Sequence, residues 1–293
     1  MSPARSADMI VDMRTSLHRS IRAPEGDGAS TGDLDQDLGC IDVAVVVGET
    51  TPAPGVTDPV AELAGCVRRD PGRRVGMLGL NPLRPDALEQ LDRAQELGLH
   101  GVAISPADQG YRPTHDDCLA MLERCATARL PVLVANPRLQ SAESVLEFAR
   151  PVLLDEVMRQ LPTLTLIVGD FGHGWVDESL TLVGKHERCY AEISGVVRRA
   201  WSLYGALMSA FERGLLRKLL FGSGYPDETP ERAIERIYTI NTVRAGSSLP
   251  TIPREALRGL VERDALACLG IRRLAPEPAL AAGETGAAEQ EEA

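Results

Sequence analysis

Short apolar runs alternate with amphipathic segments along the chain, and this alternation limits the folds open to it. Most of the runs are continuously apolar, which is typical of parallel strands buried on both faces. Helix signals fill the intervals: within 114–126, for example, Thr114 is placed to cap a helix with Asp117 three residues on. Eight runs predict strands at 9–13, 43–47, 75–78, 101–104, 131–134, 164–168, 189–193 and 219–222.

Strands that alternate with helices form right-handed βαβ units, and eight such units predict an α/β protein with a single (β/α)8 TIM barrel. A doubly wound open sheet is the alternative. Further helices are predicted at 86–97, 142–161, 176–185, 197–213 and 228–240.

The barrel is expected to occupy residues 1–274. Residues 23–37 are rich in Gly, Asp and Ser and are expected to form a loop over the mouth of the barrel. Residues 275–293 are rich in Ala, Glu and Pro, and we expect them to form a disordered acidic tail.

Composition excludes several classes of partner. The net charge of -11 argues against nucleic acid or an anionic membrane as the main partner. No apolar run approaches the ~20 residues of a membrane span. Six cysteines without a C-x-x-C pair indicate reduced thiols and a cytoplasmic protein. The expected partner is an unidentified small molecule, with a homo-oligomer or a hetero-oligomer with an active paralogue left open.

Several motifs occur in an order that a known family shares. They are M-I-V-D at 9–12, G-C-I-D-V-A-V-V at 39–46, G-V-A-I-S-P at 101–106, L-P-V-L-V at 130–134, Y-A-E-I-S-G at 190–195 and F-G-S-G-Y-P at 221–226. Together with R-D-A-L-A-C-L-G-I at 263–271, they resemble the amidohydrolase-related family, TIM barrels that include metal-dependent hydrolases and nonoxidative decarboxylases. The resemblance covers roughly residues 9–271.

The resemblance implies a divalent metal held by H-x-H after the first strand, by histidines after the fifth and sixth strands, and by a catalytic Asp after the eighth. The matching positions here are Arg14, Ser16, Ala135, Asp170 and Gly224. Arg14 adds a permanent positive charge where the cation would lie. We therefore expect the family's metal site to be lost and no cofactor to be bound.

The leading interpretation is a catalytically degenerate barrel that acts as a small-molecule-binding or interaction module. The alternative is an active hydrolase or lyase, for C–N or C–O hydrolysis or decarboxylation, with a metal-independent or rewired site. A rewired site could hold one divalent metal, Zn or Mn, among Asp12, Asp170, His173 and Glu192. A third interpretation is a structural subunit that partners an active paralogue.

The candidate site residues follow from these positions. Candidate catalytic residues are Asp170 and His173; candidate ligand-binding residues at the barrel mouth are Arg14, Ser16, Asn136, Ser194 and Tyr225. One hypothesis is that the Arg14 guanidinium replaces the lost cation and pairs with Asp170. The alternative is that both are solvated loop residues.

Overall fold

A computed structural model describes residues 9–17, 38–51 and 55–272. The predicted mouth loop at 23–37 and the predicted tail at 275–293 lie outside the described residues. Within the described ranges, no helix has the length and apolar character that crossing a bilayer requires.

Eight parallel strands form one sheet in chain order, which confirms the predicted (β/α)8 barrel. The register between neighbours is parallel throughout, from Val11 opposite Val43 to Glu192 opposite Leu220. The strands are β1 Val11–Ser16, β2 Val43–Val47, β3 Arg74–Gly79, β4 Gly101–Ile104, β5 Val132–Val134, β6 Leu166–Val168, β7 Cys189–Glu192 and β8 Leu219–Leu220.

The segment after β8 closes the barrel against β1. The Met13 amide donates to the Phe221 carbonyl at 2.9 Å, and the Ser16 amide donates to the Tyr225 carbonyl at 2.9 Å. The Gly224 amide donates to the Arg14 carbonyl at 3.1 Å. The last strand therefore contributes to closure mainly through the turn that follows it.

Helices pack around the sheet and separate successive strands. The first begins where Asp58 accepts a hydrogen bond from the Ala61 amide at 3.0 Å, with proline at the first helical position. The described helices are Pro59–Arg69, Ala87–Glu96, Pro106–Gln109, Asp116–Ala128, Leu154–Gln160, Val176–Lys185, Ser194–Val197, Ala200–Glu212, Pro230–Tyr238, Arg254–Val261 and Ala265–Leu269.

Two sequence-based helix predictions were wrong in detail. The predicted helix at 142–161 is α-helical only over Leu154–Gln160, preceded by two short 3₁₀ turns. Pro151 explains the break, because it lacks an N–H and holds Arg150 in an extended conformation at φ -69°, ψ 123°. The helix predicted from Thr114 instead begins after His115, whose side chain accepts from the Asp117 amide.

The barrel interior has its own apolar core. Inward-facing residues of the strands, including Met13, Val45 and Met77, pack together inside the sheet. Leu266 and Leu269 of the helix Ala265–Leu269 join this cluster beside β1. Apolar side chains fill the barrel interior. Polar groups that could form a site are therefore expected at the carboxyl ends of the strands.

One close approach in the sheet gives a test of the packing. A Cβ added at Gly79 would lie 2.2 Å from the Glu49 carbonyl oxygen, so Gly79→Ala must displace backbone. We expect a loss of about 1–3 kcal/mol in the free energy of unfolding, measured by urea denaturation.

Gly65→Ala is the matched control. A Cβ at this helical glycine meets nothing within 4 Å, so alanine should raise the free energy of unfolding by about 0.5–1 kcal/mol. Equal effects of the two substitutions would contradict the packing described here.

Candidate functional site

A cavity of about 300 Å³ opens at the carboxyl ends of the strands, which we call the mouth. Its lining includes Arg14, Ser16, Asp170, Ser194 and Tyr225, all named from the sequence as candidate site residues. The other lining residues are Val47, Gly48, Glu49, Thr50, Ala103, Ser105, Ala135, Pro137, Arg138, Gly195, Arg198, Arg199, Ser223, Gly224, Pro226 and Asp227.

A register shift in β1 turns Arg14 toward the mouth. Met13 packs in the barrel interior, so strict alternation would place Thr15 on the same face. The pairing of β1 with β2 shifts between Asp12 and Thr15, and Arg14 and Ser16 line the cavity in place of Thr15. Such irregularities often re-aim side chains beside functional sites.

Arg14 is a buried cation at the mouth. Its residue is 9% exposed, and the described residues include no ion pair or hydrogen bond to its guanidinium. The proposed ion pair between Arg14 and Asp170 is not formed, although both residues line the cavity. Asp170 Oδ2 instead lies 3.1 Å from His173 Nε2, in a contact that is not aligned as a hydrogen bond.

Glu192, at the end of β7, is fully buried beneath this layer. Its Oε1 accepts from the Asp170 amide at 2.5 Å and from Ser194 Oγ at 3.0 Å, and its Oε2 accepts from the Ser194 amide at 2.7 Å. A Cβ at Gly222 would lie 2.8 Å from Oε2 and 3.2 Å from Arg14 Cβ. Glycine at 222 therefore leaves the space that Glu192 and Arg14 occupy.

Burial and the charge of Asp170 raise the pKa of Glu192 to about 7, against the opposing effect of Arg14. Asp12 is also fully buried, and its burial raises its pKa to about 6. Hydrogen bonds to Asp12 act in the opposite direction: the Ser223 hydroxyl donates at 2.5 Å, the Ser223 amide at 2.9 Å and the Arg14 amide at 3.1 Å. Glu192 thus interacts with the charge of the Arg14 side chain, and Asp12 bonds to the Arg14 backbone amide.

Asp170 lies in a left-handed segment that follows β6. Asp170, Phe171 and His173 have φ values of 52°, 50° and 56°, which cost non-glycine residues about 1–2 kcal/mol each. Phe171 is fully buried, and its carbonyl accepts from Ser179 Oγ at 3.3 Å. Strained backbone held in this way clusters at functional sites, so the segment supports placing a site at the mouth.

Two candidates from the sequence have other surroundings. Asn136 is buried and accepts from the Ala107 amide at 2.8 Å, and it does not line the cavity. His173 also lies outside the cavity lining, and it contacts Asp170, which does line the cavity.

The residues present do not fit the metal that the sequence resemblance implies. Among the described residues, no three His, Cys, Asp or Glu side chains converge as a ligand set. Asp12 and Glu192 already use both carboxylate oxygens as hydrogen-bond acceptors, and the buried Arg14 cation interacts electrostatically with Glu192. Gly224 occupies the position of the family's catalytic Asp. Its φ is +79° and a Cβ there would lie 3.3 Å from Ser194 Cβ, so a side chain at this position would be strained.

Sequence reasoning missed three arginines that line the cavity. Arg138 follows β5 and Arg198 and Arg199 follow β7 within a few residues. The signal was available, because side chains just beyond the carboxyl ends of barrel strands face the functional end.

The fold and this mouth define a (β/α)8 barrel with a buried arginine on its first strand facing the cavity. Residues 29–269 match the family described as Amidohydrolase, and the chain belongs to that family. No protein with a curated description matches the chain in sequence.

Solved structures share the fold. An uncharacterised TIM-barrel protein from Bordetella bronchiseptica has a TM-score of 0.67 at 17% identity, covering 89% of this chain and 99% of that one. A probable 2-pyrone-4,6-dicarboxylic acid hydrolase from Acinetobacter baumannii, with citric acid bound, has a TM-score of 0.64 at 16% identity, covering 89% and 99%. The 5-carboxyvanillate decarboxylase from Sphingomonas paucimobilis has a TM-score of 0.62 at 13% identity, covering 91% and 100%.

The raised pKa of Glu192 predicts a pH dependence of stability. Its pKa rises from 4.5 to about 7 on folding, so the folded protein binds more protons than the unfolded chain between these values. The contribution to stability is present below pH 4.5 and is lost as the pH rises through 7. Glu192→Gln should remove this component.

The measurement is urea unfolding across the pH range, with the free energy of the wild type compared with that of Glu192→Gln. Their difference should fall as the pH rises and then level off, while Glu123→Gln on an exposed helix face should run parallel to the wild type. Asp12 makes its own pH-dependent contribution to the free energy of unfolding, between pH 3.8 and about 6, in every variant. Parallel curves for the wild type and Glu192→Gln would contradict the assignment.

Proposed function

We propose that the mouth binds a small carboxylate directly through Arg14, without the family's metal, and that the chain is catalytically degenerate. The observation that carries the proposal is the buried Arg14, which lines a cavity and has no ion pair among the described residues. A buried cation without a directly bonded anion is costly to maintain, even where a buried carboxyl group such as Glu192 interacts with it over a longer distance. An anionic ligand would offset that cost.

The charge distribution supports an anionic ligand. The cavity lining carries four arginines against Glu49, Asp170 and Asp227, although the whole chain has a net charge of -11. A cationic cleft in an acidic protein concentrates anions at one place on its surface. The cavity volume of about 300 Å³ lies at the lower end of ligand pockets, which favours a small molecule.

The structural neighbours support the same class of ligand. One is a probable dicarboxylic acid hydrolase with citric acid bound, and another is named for its action on 5-carboxyvanillate. Both names describe carboxylated molecules. Arg14 would take the role of an anchor for the carboxylate, because a guanidinium matches the carboxylate geometry in a bidentate pair.

The test is citrate binding measured by isothermal titration calorimetry. We expect Arg14→Gln to weaken binding about 10- to 100-fold, since a hydrogen bond between charged groups contributes about 1.5–3 kcal/mol. The citrate affinity of Arg14→Lys should lie between those of the wild type and Arg14→Gln, because lysine keeps the charge and loses the bidentate geometry.

Arg68→Gln is the matched control. Arg68 is exposed in the last turn of Pro59–Arg69, at the barrel end opposite the mouth, and its replacement should leave binding unchanged. Citrate affinity that is insensitive to Arg14→Gln in a protein that melts like the wild type would overturn the proposal.

The second candidate function is a hydrolase or lyase with a rewired site. The contact between Asp170 and His173, and the left-handed backbone of both, favour this candidate. In that case Asp170 would act as a general base at the cavity, with His173 as its positioning residue.

Turnover separates the two candidates. Lactone, ester and carboxylated aromatic substrates are tested with chelator and with added zinc or manganese. Binding without catalysis predicts no turnover under either condition. Turnover that Asp170→Asn lowers by about 100-fold or more, while the exposed-site variant His115→Ala keeps it, would instead establish the rewired enzyme.

A further inference from the structure

We propose that the ligand is a dicarboxylate and that Arg138 binds its second carboxylate at the rim of the cavity. The inference rests on the proposed function, in which Arg14 binds the first carboxylate. It adds a specificity-determining residue and narrows the ligand from any small carboxylate to one with two negative groups.

Arg138 occupies the rim on the β5 side of the mouth. The chain passes from β5 through Ala135 and Pro137 to Arg138, and all three residues line the cavity. Arg138 is half-buried, so its stem is held against the protein while it lines the cavity.

Hydrogen bonds fix the backbone that carries Arg138. Its amide donates to Asp108 Oδ2 at 2.8 Å, and its carbonyl accepts from Ser144 Oγ at 2.8 Å. Ser144 Oγ also lies 2.6 Å from Asp108 Oδ1. Asp108 thus contacts both Arg138 and Ser144 and holds the segment after β5 in place. A cation on a fixed loop needs little ordering when a ligand binds.

The guanidinium of Arg138 interacts electrostatically with the exposed Glu143 but is not bonded to it. Among the described residues it takes part in no ion pair within 4 Å and no side-chain hydrogen bond. The two other rim arginines are engaged: Arg198 lies 4.0 Å from Asp227, and Arg199 donates to the Gly195 carbonyl at 2.8 Å.

Arg14 and Arg138 are therefore the two lining cations, within the described ranges, that have neither kind of partner. Arg14 extends from the register shift in β1, and Arg138 extends from the loop after β5. Two cations presented from different strands offer a separate binding group for each of two carboxylates on one molecule. Each pair would supply a charge-assisted hydrogen bond.

Matched acids test the proposal by calorimetry: succinate against butyrate and glutarate against valerate, which differ only in the second carboxylate. We expect the wild type to bind each diacid about tenfold or more tightly than its monoacid. Arg138→Gln should remove that preference and leave monoacid affinity within about twofold of the wild type. Arg68→Gln should keep the preference.

Each alternative outcome has a distinct meaning. Arg138→Gln that weakens monoacid and diacid equally would show a general field effect and overturn the second subsite, as would no effect on either. If the wild type binds the monoacid through Arg14 and binds the diacid no more tightly, the proposed function is supported and the second subsite is contradicted. If neither the monoacid nor the diacid binds, both the proposed function and the second subsite are contradicted. Thermal melts of each variant check that the fold is retained.

Discussion

Closure of the barrel between its first and last strands is the interaction on which the site depends. β8 is two residues long, so the turn after it completes the closure through the Ser223 and Gly224 amides. Asp12 accepts from both the amide and the hydroxyl of Ser223. The same carboxyl group accepts from the Arg14 amide and so links barrel closure to the position of the cation.

Electrostatic neighbours of Arg14 divide into an inner and an outer group. Glu192 and Asp12 are fully buried, and their carboxylate oxygens are already hydrogen-bonded. The charge of Glu192 interacts with that of Arg14, which lowers the cost of burying the guanidinium, and Glu192 does not line the cavity. The outer side of Arg14 faces the cavity, where arginines outnumber acids. This arrangement keeps the fold compatible with a cation while leaving room for an anion.

Much of the fold was predictable from sequence because buried parallel strands are apolar runs. The structure matches the predicted Val43–Val47 and Gly101–Ile104, where both faces of the strand are buried. The final strand is shorter than predicted because the chain after Leu220 forms a turn, from which Phe221, Gly224 and Tyr225 bond across to β1. The helix predicted at 142–161 was wrong before Leu154, because that prediction did not allow for the break at Pro151.

The site was less predictable, because its geometry depends on contacts between distant segments. Positions after strands identified Arg14 and Asp170, which do line the cavity. The sequence could not show that the register shift in β1 would turn Arg14 to the mouth. Nor could it show that Asn136 would be used by a backbone amide, or that Asp108 and Ser144 would fix Arg138.

The placement of Arg14 near Glu192 limits the substitutions that the barrel tolerates at position 14. Replacing Arg14 by a neutral side chain would remove the positive charge that offsets a fully buried glutamate. Gly222 provides no side chain in compensation, because Glu192 and Arg14 fill the space beside it. A neutral residue at position 14 would therefore leave the charged form of Glu192 buried without the counter-charge that Arg14 provides.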